Sequence, residues 1–126
     1  MIERLFPPGV PTPKNPYSPA VKAGGFVFVS GQAASDATTG EMSYGDIQYE
    51  TRVTLNNIKR ILEGSGASME QVVKVNVYLL DERDFAKMNE VYVEFFGKDR
   101  PARTTIGCKF ANPVMKVEID CIAYTG

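Results

Sequence analysis

The run from Val72 to Leu80 alternates: Val73, Val75, Val77 and Leu79 fall on one side, and Lys74, Asn76 and Tyr78 on the other. That period belongs to a half-buried strand. A helical period lies on either side of it. Ile47, Thr51, Leu55, Ile58 and Leu62 step by three or four between about Asp46 and Glu63. Phe85, Met88, Tyr92 and Phe95 do the same between about Asp84 and Phe96. A strand set between two amphipathic helices calls for a sheet that the helices can cover.

More strands are legible around this centre. Ala20–Ala23 and Phe26–Ser30 flank Gly24-Gly25, a hairpin signal because the tight turn needs positive φ. The second run stops at Ser30-Gly31-Gln32, where a glycine either turns the chain or leaves room for a ligand against exposed backbone N–H groups. Ser35 to Gly45 reads as a polar loop. Asp46 is placed to cap the first helix and Gly64 to end it. Ser68-Met69-Glu70-Gln71 has capping-box form and opens a single turn. Near the end, Arg103 to Cys108 is extended, Lys109 to Pro113 connects, and Met115, Val117, Ile119, Cys121 and Ala123 alternate with Lys116, Glu118, Asp120, Ile122 and Tyr124. The second of these sets mixes charges with Ile and Tyr, which suits a face covered in part by another subunit.

The expected order is β-β-α-β-α-β-β, an α+β layer with two helices on one face of a mixed sheet. The 126 residues make one domain, 1–126, with residues 1–19 as a proline-rich irregular arm. In that arm, prolines bracket Tyr17-Ser18, so the tyrosine is held either to pack the arm down or to line a pocket. The hydrophobic fraction of 44% and charged fraction of 23% place the chain among folded globular proteins.

Composition narrows the chemistry. The net charge of −1 counts against a nucleic-acid partner, which usually shows as a strongly basic balance. No apolar run is long enough to span a bilayer, and an acid and two prolines stand where a signal peptide needs its apolar core, so the expected site of action is the cytoplasm. Cys108 and Cys121 read as small core residues, and without CxxC or histidine no metal site is expected. Histidine is absent altogether. Ser-His-Asp and Cys-His catalysis are thereby excluded, and any chemistry runs on carboxylates, arginine, tyrosine, hydroxyls, backbone donors and water.

Within those limits the best chemical pair is Arg103, stiffened by the preceding Pro101-Ala102, and Glu118 on the next extended run. Arginine offers a planar fork matched to a carboxylate, and a glutamate can hold a water. The same two residues would also suit a simple cross-strand ion pair, worth about 0–1 kcal/mol if exposed. Residue types alone leave both readings open.

Longer matches add to this. Pro16-Tyr17-Ser18, Phe28-Val29-Ser30-Gly31-Gln32, Thr39-Gly40-Glu41, Thr51-Arg52 with Leu55-Asn56-Asn57, Val73-Lys74, Asp84-Phe85, Asn89-Glu90-Val91-Tyr92, Phe95-Phe96, Pro101-Ala102-Arg103 and Val117-Glu118-Ile119 occur in order along nearly the whole chain. In these the sequence resembles the RidA (YjgF) family of reactive intermediate deaminases. The resemblance implies a chorismate-mutase-like fold assembled as a homotrimer with clefts between subunits. It also implies hydrolysis of enamines and imines such as 2-aminoacrylate and 2-iminopropanoate to 2-oxo acids and ammonia, without a cofactor.

By position, the resemblance makes Arg103 the carboxylate anchor and Glu118 the residue that orients or activates water. Tyr17 would close the pocket, Ser30 and Gly31 would present backbone, Asn89 would line the cleft, and Thr105 would stand where many relatives carry cysteine. Asn15, Gly107 and the Lys109–Pro113 connection depart from the family pattern, which leaves room for a larger enamine such as 2-aminomuconate. A non-catalytic trimer binding small carboxylates, or acting as a chaperone, is the alternative.

Overall fold

The computed structural model describes residues 1–126. Six strands form one sheet in the order β1-β2-β3-β6-β4-β5, and two helices cover one face of it. The strands are β1 (Ile2–Leu5), β2 (Ala20–Ala23), β3 (Phe26–Gln32), β4 (Val72–Leu79), β5 (Ala102–Gly107) and β6 (Val117–Tyr124). The helices are α1 (Ile47–Gly64) and α2 (Phe85–Phe95), and single 3-10 turns precede β4 and α2. All neighbouring strands run antiparallel except β4 and β5, which are parallel and joined through α2. The sheet is therefore mixed, and the architecture is the expected α+β layer with one strand more than the sequence suggests.

That extra strand is β1. Ile2 to Leu5 pair with Ala23 to Ala20, so the arm expected to be irregular over 1–19 contributes an edge strand before its prolines begin. The Gly24-Gly25 turn falls where expected, with φ of 56° and 87°, values that side-chain-bearing residues rarely adopt.

The core follows the apolar stripes. Leu55, Ile58 and Leu62 of α1 are fully buried and Ile47 nearly so, and they meet Val27, Val75, Val77, Val117, Ile119 and Cys121 of the sheet. Asp46 caps α1 by accepting from Tyr49 N–H at 2.8 Å. Two details depart from the pattern. A register shift between Val72 and Lys74 turns Val72 into the core and leaves Val73 45% exposed, so the alternation begins at Val75. Phe85, expected on the buried stripe of α2, is also 45% exposed, and Val91 and Phe96 are buried beside Met88 and Tyr92.

One buried charge holds the start of β6. Glu50 on α1 is wholly buried and accepts from Lys116 N–H at 2.9 Å and Gly45 N–H at 3.2 Å, with Lys116 Nζ at 3.4 Å. Removing it strands two backbone donors and a lysine. Glu50→Ala is expected to lower stability by about 3 kcal/mol, read as a shift of the urea midpoint at fixed protein concentration.

The open face of the sheet is not polar. Phe26, Phe28, Ile106 and Tyr124 all stand exposed on it, and Phe26 packs its ring against Tyr124 at 4.9 Å between centroids. Strand pairing places Phe28 beside Ile122 and Phe26 beside Tyr124. An exposed apolar patch of this kind is a candidate interaction surface. No helix of the chain is long and apolar enough to cross a membrane.

Candidate functional site

The sequence suggests two strands side by side, one carrying Arg103 and the other Glu118. The structure corrects this. β5 lies at the sheet edge against β4, and β6 lies on the other side of β4. Arg103 pairs with Val75, and Val75 pairs with Cys121, so all three point to the helix-covered face. Glu118 pairs with Tyr78, and Tyr78 pairs with Ile106, a row on the open face. Within one chain the two residues are on opposite faces. None of the chain's ion pairs joins them, which removes the cross-strand pair as an explanation of either.

Each residue instead heads its own cluster. Around Arg103, α2 presents Phe85, Asn89 and Tyr92 from one side of the helix, at the i, i+4 and i+7 positions that share a face. Arg103 Nη1 donates to Asn89 Oδ1 at 2.8 Å. The guanidinium carbon lies 4.6 Å from the centre of the Tyr92 ring and 5.6 Å from that of Phe85. A cation over aromatic faces is held in a fixed plane at little desolvation cost. No carboxylate of the chain pairs with it. The buried Tyr92 hydroxyl and Thr105 Oγ1 also lack hydrogen-bond partners. Burial raises the pKa of Tyr92 despite the nearby Arg103, so its hydroxyl stays a donor.

The second cluster surrounds Glu118. Tyr17, Ser30, Gly31 and Glu118 line one cleft of about 570 Å³, together with the arm from Val10 to Asn15 and with Phe110, Ala111 and Asn112. The pairing of β3 with β6 shifts register between Val29 and Gln32, and this bulge brings Ser30-Gly31 against the glutamate. Ser30 Oγ donates to Ser18 C=O at 2.6 Å and Ser30 N–H to Pro19 C=O at 3.0 Å, which ties the Tyr17 arm to the strand. The side chain of Ser30 is thus committed to holding the arm. The Tyr17 ring remains 48% exposed over the cleft.

Gly31 is required by Glu118 itself. A Cβ on Gly31 would lie 2.5 Å from Glu118 Oε2 and 2.9 Å from its carboxyl carbon. Gly31→Ala is expected to leave the fold in place, because the end of a glutamate side chain can move aside. Any activity that depends on Glu118 should fall by about ten- to a hundredfold through displacement of that carboxylate, measured at unchanged secondary structure. The Glu118 carboxyl is half-buried, and burial, with Asp120 nearby adding to it, raises its pKa above the ordinary glutamate value. It is a stronger proton acceptor than an exposed glutamate.

The expected site residues therefore separate into Arg103, Asn89 and Thr105 on one side of the molecule and Tyr17, Ser30, Gly31 and Glu118 on the other. Sequence reasoning missed Phe85 and Tyr92 as walls of the arginine site, although their spacing with Asn89 already placed the three on one helix face. Of the departures from the family pattern, Asn15 and the 109–113 connection reach the Glu118 cleft, whereas Gly107 lies beside Glu82 and Leu79. No group of histidine, cysteine, aspartate or glutamate is placed to hold a metal ion.

Comparison with known proteins completes the description. A family model described as Endoribonuclease L-PSP matches residues 9–125. A RutC family protein of Pyrococcus horikoshii is 49% identical over 124 residues, covering 98% of each chain. The crystal structure of RidA from an Antarctic Psychrobacter species matches with a TM-score of 0.89 and 36% identity, covering 97% of this chain and 98% of that one. The crystal structure of E. coli TdcF with bound serine matches with a TM-score of 0.85 and 34% identity over 94% of both chains.

Proposed function

The chain belongs to the RidA (YjgF) family, to which the endoribonuclease L-PSP description also refers, and from that premise we propose that it is a homotrimeric hydrolase of short-lived 2-imino acids and their enamines. Its substrates are of the 2-iminopropanoate and 2-aminoacrylate type, and its products are 2-oxo acids and ammonia. The observation that carries the reading is the Arg103 guanidinium, clamped by Asn89 and Tyr92 with no counter-ion in its own chain. Such a fork is prepared for a carboxylate from outside. A bound serine in TdcF supports a small amino-acid-like ligand here as well.

Glu118 faces the opposite way, so one chain does not complete the site. The exposed apolar residues around it supply the reason for chains to meet on that face. In the assembly, the Arg103 cluster of one subunit reaches the Glu118 cleft of the next. The substrate carboxylate takes the Arg103 fork, which fixes the imine carbon near a water held by Glu118.

The reaction balances as R–C(=NH)–COO⁻ + H₂O → R–CO–COO⁻ + NH₃. Water oxygen bonds to the imine carbon, the C=N π pair moves to nitrogen, and the proton that the water loses passes through Glu118 to that nitrogen, giving a carbinolamine. Glu118 then takes the carbinol O–H proton as the C=O bond forms and delivers it to the nitrogen, which leaves as NH₃ when the C–N bond breaks. An iminium carbon is already electrophilic, so positioning and one modest base are enough, and no histidine is needed.

The test is to generate 2-iminopropanoate in situ from alanine with an amino-acid oxidase and to follow its disappearance. Acceleration over buffer, with pyruvate and ammonia formed in equal amounts, is the expected result. A rate equal to that in buffer would sink the reading for this substrate class.

A further inference from the structure

The Glu118 cleft, about 570 Å³ in a single chain, runs from the strands past the N-terminal arm to α1. On its wall, away from the strand that carries Glu118, stands Arg60 of α1.

Arg60 is oriented but not neutralised. Its Nη1 donates to Asn57 Oδ1 at 2.9 Å. Asn57 is only 4% exposed, and its Nδ2 is fixed by Ala33 C=O at 3.1 Å, Ser35 C=O at 2.9 Å and Ser35 Oγ at 3.2 Å. A buried amide spends its bonds on the loop and offers its remaining acceptor to the guanidinium. The chain's ion pairs are Arg52–Glu94, Arg83–Asp81 and Lys116–Glu50, and Arg60 is in none of them. The other charged residues lining the cleft are Lys14, Asp36 and Glu118. Asp36 Oδ1 is occupied by the N–H groups of Thr38 and Thr39 at 2.8 and 2.9 Å, which also lower its pKa. No ion pair joins it to Arg60.

We propose that Arg60 is a second anion-binding residue of this cleft, and that the chain favours 2-imino acids bearing a distal carboxylate. The inference rests on the deaminase reading for its reaction, but the carboxylate site rests on Arg60 and Asn57 alone. The first carboxylate of such a substrate lies on Arg103 of the adjoining subunit, and the second reaches along the cleft to Arg60. Two forks at opposite ends of one substrate select for length as well as charge.

The experiment compares 2-oxoglutarate with 2-oxopentanoate, stable 2-oxo acids of equal chain length that differ in the distal carboxylate. Binding to the whole protein is measured by titration calorimetry. The wild-type protein is expected to bind 2-oxoglutarate at least about tenfold more tightly, and Arg60→Gln to collapse that ratio toward one. Arg60→Lys keeps the charge without the fork and should retain part of the preference. Equal affinities in the wild type, a ratio untouched by Arg60→Gln, or no binding of either acid would overturn the proposal.

Imine turnover, assayed in parallel, separates the two readings. A ratio that depends on Arg60, without imine hydrolysis, upholds the carboxylate site and removes the deaminase. Hydrolysis of 2-iminopropanoate without a dicarboxylate preference does the reverse.

Discussion

Arg103→Ala is expected to lower kcat/KM for 2-iminopropanoate by about two to four orders of magnitude. A charge-assisted hydrogen bond contributes about 1.5–3 kcal/mol, and the fork makes two of them to one carboxylate. Arg103→Lys keeps the charge as a point and loses the planar match, so it should fall between wild type and alanine. The alanine variant also frees Asn89 Oδ1 and uncovers the Tyr92 ring, changes at a half-buried edge strand that the fold can absorb. Steady-state kinetics on protein of unchanged oligomeric mass gives the comparison. A variant with undiminished kcat/KM would remove Arg103 from the chemistry.

The second large effect is a recovery. Arg103→Ala and Glu118→Gln chains are each expected to be nearly inactive as pure proteins. Unfolded together and refolded in equal amounts, they should regain activity at about a quarter of the wild-type level, because in a cyclic trimer of random composition a quarter of the sites receive both intact residues. The prediction follows from the faces: Arg103 shares a row with Val75 and Cys121, whereas Glu118 shares one with Tyr78 and Ile106. If both residues served a site within one chain, mixing would restore nothing. A mixture as inactive as its parents would therefore exclude the shared site.

The regular elements were legible because their periods are strong. The stripe of α1 and the alternation of β6 each expose one face with no competing assignment. What escaped the sequence depended on pairing. β1 is short and charged at Glu3 and Arg4, and only Ala20 to Ala23 make it a strand. Val72 and Val73 are chemically the same, so nothing local tells which of them a bulge will bury.

The faces of β5 were hidden for a related reason. Ala102, Thr104 and Ile106 are no more polar than Arg103 and Thr105, so composition does not say which set meets the helices. Glu118 was readable as outward, between Val117 and Ile119, but its distance from Arg103 required knowing that β4 separates their strands. Arg60 reads from the sequence as part of the solvated side of α1, and its cleft is built by a loop from elsewhere in the chain.

The aromatic cluster on the open sheet face also bears on how the protein is made. A newly synthesised chain can complete its own core, since both helices and the inner rows of the sheet come from one polypeptide. It then still carries Phe26, Phe28 and Tyr124 uncovered. In the proposed trimer, burying them takes encounters with other copies, steps whose rates rise with the number of chains present. Biogenesis of the proposed trimer would thus have a unimolecular stage followed by a stage limited by collision. During the second stage a scarce chain is a natural client for any factor that shields aromatic surface, and abundance sets how briefly that stage lasts.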